Sequence, residues 1–359
     1  MTGARWPALQ GGLLAVLSAV LFGLTTPLLK QAGEGVGTFM TAAWLYLGAA
    51  TMALTGIGAA RREARLRRSD LPRLAAMAAL GAVIGPVALA WGLQRTSATG
   101  ASLLLSFEAV GTIFFAWLLY RESMDRRVRA AVALLTLGGV VLVVEQGRGG
   151  AAGWHPGLLA VALATLAWGL DNALSRGVAD RDPARVVGAK AGLGASATFT
   201  LAWIGGETWP VATVGLALLA LGATGYGLSL RLYLLAQRRI GAARTGSVFA
   251  FAPFVGALAA LALGERAVTW GMAAAALLML AGVLLHLSER HEHAHTHEAM
   301  AHEHAHGHDD GHHHHTHAPM PVGPHSHWHR HEPLQHSHPH TPDLHHQHGH
   351  EAPGRDPTS

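Results

Sequence analysis

Cysteine is absent from all 359 residues. That removes disulfides, thiolate metal ligands and cysteine nucleophiles together. Charge is sparse, at 13% of the chain, and over residues 1–290 it gathers in short clusters between apolar runs. A soluble domain with one core would interleave charge along its exposed faces, so that class is excluded. Residues 1–290 hold no phosphate-binding glycine loop, no HExxH pattern and no activated nucleophile, so no enzyme is expected. No small-residue cleavage site follows "LLKQAGEGVG" after the first apolar run, so that run reads as a retained span rather than a signal peptide.

What is present divides into two polymers. Residues 1–290 carry 24 Lys+Arg against 13 Asp+Glu, and the last 69 residues carry 2 against 9. The first part contains ten apolar stretches, at about 9–29, 37–60, 71–93, 98–119, 127–145, 155–176, 184–205, 210–235, 241–263 and 267–288. Spans of roughly 20 apolar residues cross the hydrocarbon of a bilayer, so the pattern predicts an all-α integral membrane protein with ten transmembrane helices. Most of the basic residues lie between spans, which makes lipid and not nucleic acid the partner. With a cytoplasmic N-terminus, 18 Lys+Arg fall on the inner side and 4 on the outer. The positive-inside rule therefore predicts a multi-pass protein of the inner (cytoplasmic) membrane with both termini in the cytoplasm.

The two halves of the body are alike. "SAVLFGLTTPLLK" (18–30) aligns with "ATLAWGLDNALSR" (164–176), and residues 92–122 align with 235–265, matching Gln94 to Gln237, Arg95 to Arg238 and Glu122 to Glu265. Five spans is an odd number, so the copies are expected in opposite orientations, a device of secondary transporters. The units expected are 1–145 and 146–290, followed by a tail at 291–359.

With these features the chain resembles the EamA branch of the drug/metabolite transporter superfamily. The resemblance rests on the aromatic–Gly pairs Phe22-Gly23 and Trp168-Gly169, on a Glu closing the fourth helix of each copy, and on "LLLSFEAVGTIFFAWLLYRE" and "WGLDNALSR". It covers about residues 9–288 and leaves out the tail. It implies a secondary transporter, usually an exporter of amino acids, metabolites or toxic solutes, working without ATP. One departure is Val110, where the second copy has Pro253.

An ionisable group in hydrocarbon costs at least ~2.5 kcal/mol and needs a reason. Glu108 lies at the centre of the fourth span, about 15 Å from either end at ~1.5 Å per residue. It reads either as a buried hydrogen-bonded acid or as a proton- or cation-binding group facing a cavity. Asp171, followed by Asn172, and Lys190 lie at nearly the same depth on consecutive spans, so an ion pair between Asp171 and Lys190 is expected. Thr25 and Thr26 correspond to Asp171 and Asn172 by the repeat and are expected to supply polar contacts from the opposite half. Arg231 sits near an inner end and is expected to snorkel. Pro27, Gly85-Pro86 and Pro253 read as kinks, and His155 and His286 as interfacial residues.

Of 26 histidines, 24 fall between 291 and 350. The densest run holds His291, His293, His295, His297, His302, His304, His306, His308, His312, His313, His314, His315 and His317. With almost no aliphatic residues to bury and recurrent Pro, this tail is expected to be disordered. Neutral imidazole is a ligand for Zn, Ni and Co, so the tail is expected to bind transition metal on the cytoplasmic face; pH sensing is the rival. No cofactor is required. The function expected is export, with divalent Ni, Co or Zn as first-choice cargo and an amino acid or metabolite as the alternative, by a monomer or homodimer.

Overall fold

The computed structural model describes residues 5–57, 66–120, 126–147, 155–178, 181–240, 245, 248–265 and 269–287, and in the tail 292–297, 300–306, 325–331 and 334–339. The body is helical throughout: α1 (Arg5–Ala32), α2 (Thr38–Ile57), α3 (Leu71–Ala78), α4 (Gly85–Leu93), α5 (Ala98–Leu104), α6 (Phe107–Tyr120), α7 (Arg126–Gly147), α8 (Pro156–Ser175), α9 (Pro183–Ile204), α10 (Ala212–Leu221), α11 (Ser229–Ile240), α12 (Ala252–Ala262) and α13 (Trp270–Leu287). Long runs of Ala, Leu and Val favour this, because a chain in hydrocarbon must satisfy every backbone group internally.

Seven stretches of the described residues are long and apolar enough to cross a membrane: Gln10–Ala32, Thr38–Thr55, Arg68–Leu93, Ala98–Tyr120, Arg126–Glu145, Pro156–Ser175 and Ala212–Ala236. Two shorter apolar helices, Ala252–Ala262 and Trp270–Leu285, follow. α9 is 22 residues long but carries Arg185 and Lys190. Large apolar side chains face outward: Leu13, Leu54, Leu258 and Leu277 each keep more than 60% of their surface exposed. Such a belt suits lipid and not water.

Two of these stretches are helices with a π turn inside. One π turn covers Ala79–Ile84, between α3 and α4, and the other Gly222–Leu228, between α10 and α11. Their first residues are 143 positions apart, the offset at which residues 92–122 align with 235–265. In the first, the extra residue of the turn precedes Pro86, which has no N–H to give the helix. A second irregularity is also shared. The helix breaks at 105–106 between α5 and α6, and again at 250–251 before α12. Pro253 stands in the first turn of α12, where a missing N–H costs nothing. Since the first break has no proline, Pro253 does not by itself create the irregularity.

The halves interlock rather than sit side by side. α1 packs on α11 and α12, α2 on α9, α7 on α13, and α8 on α4 and α6. Two of these crossings are glycine on glycine. A Cβ on Gly23 would stand 2.9 Å from Val255 Cβ and 3.2 Å from Gly256 N, and one on Gly169 would stand 2.7 Å from both Gly111 C and Thr112 N. The glycines of the two aromatic–Gly pairs are thus the points where α1 meets α12 and where α8 meets α6.

The tail differs from expectation. Its described residues are not irregular but form β1 (Glu292–His297) paired with β4 (Leu334–Pro339), and β2 (Met300–His306) paired with β3 (His325–His331), both antiparallel. The reason lies in the His-x-His pattern itself. Its period of two is the period of a strand, so extended backbone sets every imidazole position on one face. His293, His295 and His297 lie on β1 and His302, His304 and His306 on β2. His291, His308, His312, His313, His314, His315 and His317 lie outside the described residues.

Candidate functional site

Polar side chains of α6 and α9 meet those of α8, and α8 and α9 both pack on the first π turn. The helix break at 105–106 places Glu108 in the first turn of α6, facing α8. Asn172 Nδ2 donates to Glu108 Oε1 at 2.7 Å, and Thr112, one turn further along α6, donates its hydroxyl to the Glu108 carbonyl at 2.9 Å. Glu108 is half-buried and Asn172 is exposed, so the pair stands at the edge of the helix packing.

One residue before Asn172, and so about 100° round α8, Asp171 is turned into the core. Lys190 on α9 forms an ion pair with Asp171 Oδ2. The Asp171 side chain is 6% exposed and Oδ1 has no partner among the described residues. The π turn is what admits this pair. A Cβ on Gly81 would run into the Asp171 carboxylate and the Lys190 ammonium. The carbonyl of Gly81, displaced from regular helical bonding, accepts from the Tyr46 hydroxyl and from Trp168 Nε1, the latter at 2.9 Å. Around these charges stands an aromatic cluster. The ring of Tyr226, in the second π turn, lies 5.6 Å from Tyr46, 5.9 Å from Phe22 and 6.4 Å from Trp168.

The structure therefore brings together Glu108 with Asn172, and Asp171 with Lys190. It treats Thr25 and Thr26 differently. Both are buried, and Thr25 donates its hydroxyl to Leu21 O in its own helix while packing on Gly225 of the second π turn. Thr25, the repeat counterpart of Asp171, likewise packs on a glycine of a π turn, but it brings no charge. Arg231 is exposed and reaches Thr55 Oγ1 at 3.4 Å. His155 precedes α8, and the side chain of His286 lies outside the described residues.

Sequence reasoning missed Tyr46, Tyr226 and Trp168 as site residues. A signal existed: the chain has only four tyrosines, and a tyrosine within an apolar span must find a partner for its hydroxyl. Gly81 could not have been found, because nothing in "ALGAVIGP" announces a π turn.

An apolar outward-facing belt around helices that enclose a few charges is the make-up of a multi-pass membrane protein. The profile of the EamA-like transporter family matches twice, over residues 9–144 and 155–288, and the chain belongs to that family. It is 29% identical over 231 residues to an uncharacterized transporter of Methanothermobacter thermautotrophicus (strain Delta H), a match covering 62% of this chain and just under two thirds, 66%, of that protein. One solved crystal structure, 21% identical, shares the fold with a TM-score of 0.59 over 77% of this chain and 95% of its own.

Proposed function

We propose that the chain is a secondary-active exporter built from ten helices in two inverted five-helix copies, with its cargo and coupling site at Glu108, Asn172, Asp171 and Lys190. The observation that carries this is the convergence of two carboxylates, an ammonium and an amide from α6, α8 and α9, inside helices where each charge costs several kcal/mol. The inverted repeat is supported by the doubled family match, by the two π turns 143 residues apart, and by the interlocked pairing of equivalent helices. The excess of Lys+Arg on one set of loops supports cytoplasmic termini, and the tail then lies beside the cytoplasmic mouth.

Divalent transition metal, Ni, Co or Zn, is the first-choice cargo. The histidines of 291–317 motivate it, as imidazoles at the cytoplasmic face would gather such ions for export. A second reading, an amino-acid or metabolite exporter whose tail buffers metal, is favoured by the rings of Phe22, Tyr46, Trp168 and Tyr226 around an ammonium–carboxylate pair.

Expression of the intact chain and of a chain ending at Arg290 in a metal-sensitive host separates the readings. Export lowers cell-associated Ni or Zn with both chains, the shorter one less. Buffering raises it with the intact chain alone, and that result would overturn metal as cargo.

A further inference from the structure

At one end of the bundle the same device occurs twice. α9 ends at Gly205-Gly206 with Gly206 at φ +67°, and α12 ends at Leu263-Gly264 with Gly264 at φ +99°. In each case the next residue is a glutamate whose amide closes the helix, Glu207 N on Ala202 O at 2.9 Å and Glu265 N on Ala260 O at 3.1 Å. This Schellman closure needs a residue in the left-handed region, which glycine adopts without penalty. It throws both glutamate side chains away from their own helices.

Each carboxylate lands on the N-terminus of a helix in the other half of the chain. Glu207 accepts from Phe39 N at 3.2 Å and Met40 N at 2.7 Å, at the start of α2. Glu265 accepts from Ala98 N at 3.0 Å, Thr99 N at 2.8 Å and Thr99 Oγ1 at 2.9 Å, at the start of α5. First-turn amides have no partner within their helix, and they carry the positive end of its dipole. A carboxylate there makes charge-assisted bonds. These caps are supplied across the two halves of the chain; at α5 they add to the helix's own cap, in which Ser97 Oγ accepts from Gly100 N at 2.9 Å. Should the halves part at this end, both caps must let go. Water would then satisfy the amides, so the release is affordable.

We propose that Glu207 and Glu265 are a paired latch that holds this mouth of the transporter shut and releases when the mouth opens. They are positioning residues, acting through the helices they hold. Because α5 leads through the break at 105–106 into α6, release at Ala98–Thr99 frees the helix that leads to Glu108. The inference goes beyond the choice of cargo and holds for either one.

The absence of cysteine gives a clean test. Ser102 is 0% exposed, one turn below Thr99, and lies against Gly256. Ser102→Cys in the full-length chain would be treated with a membrane-impermeant maleimide in vesicles of each orientation. With the latch intact the thiol is protected from the latch side. Adding Glu207→Gln and Glu265→Gln together raises the labelling rate by about tenfold or more from that side only, as a shift toward the open state requires. If the double variant fails to reach the membrane, each single variant, with one carboxylate intact, is read the same way with a smaller rise. An unchanged rate in folded protein, an equal rise from both sides, or full labelling before either change would each overturn the latch.

Discussion

Asp171 and Lys190 show how a charge is tolerated inside this protein. The carboxylate is buried and the ammonium is one-fifth exposed, so each has exchanged water for the other. Breaking a buried pair from one side is expensive, about 3–5 kcal/mol where the remaining charge is fully enclosed, and the partial exposure of Lys190 puts this pair at the low end. Asp171→Asn is expected to lower the yield of inserted protein several-fold. Lys190→Met added to it should restore yield, measured as monodisperse protein after detergent extraction. If the double variant stays as poor as the single one, the pair is not what limits folding. At this scale much was legible in the sequence, since Asp171 and Lys190 declare themselves by depth on consecutive helices. The partnership of Glu108 with Asn172 was not, because it depends on α6 and α8 being neighbours, which no local pattern encodes.

Among the elements, the close helix crossings make the sharpest stability prediction. The aromatic–Gly pairs stand out in the sequence, but their cause is visible only in the packing of Gly23 on Gly256 and Gly169 on Gly111. Gly169→Ala would press a Cβ onto the backbone of α6 at 2.7 Å. It is expected to destabilise by about 1–3 kcal/mol, the usual cost of overpacking. Gly192→Ala in α9 meets nothing within 4 Å and is expected to be neutral or to stabilise by up to ~1 kcal/mol, since alanine is the better helix former. Thermal midpoints of the two variants in one detergent check this, and equal losses would contradict the crossing. The π turns were illegible for a plain reason: Leu, Gly, Ala and Val suit an α turn equally well, and tertiary packing selects the wider one. The glutamate caps were half-legible, since Gly-Glu after a helix predicts the turn but not the distant amides it serves.

For the whole molecule, hydropathy delivered an apolar helical body, of which seven described stretches are long enough to span, and the family landmarks delivered its kinship, while the interlocking of the halves had to be seen. Each half lends the other its close contacts: α1 is held by α11 and α12 as α8 is held by α4 and α6. On the proposed function, a body so arranged would move by exchanging equivalent contacts around its cargo site, and Glu108 is the carboxylate assigned to that site. The measurement that bears most directly on the account is gradient-driven transport by Glu108→Gln in proteoliposomes over a range of pH. The amide keeps the size of the side chain and its bond with Asn172, and it costs less in lipid than a carboxylate. Insertion should match or exceed that of the unaltered chain, while transport falls by about tenfold or loses its pH dependence, as expected when an acid–base group is removed. Undiminished transport at every pH would contradict the assignment and reduce Glu108 to a packing residue.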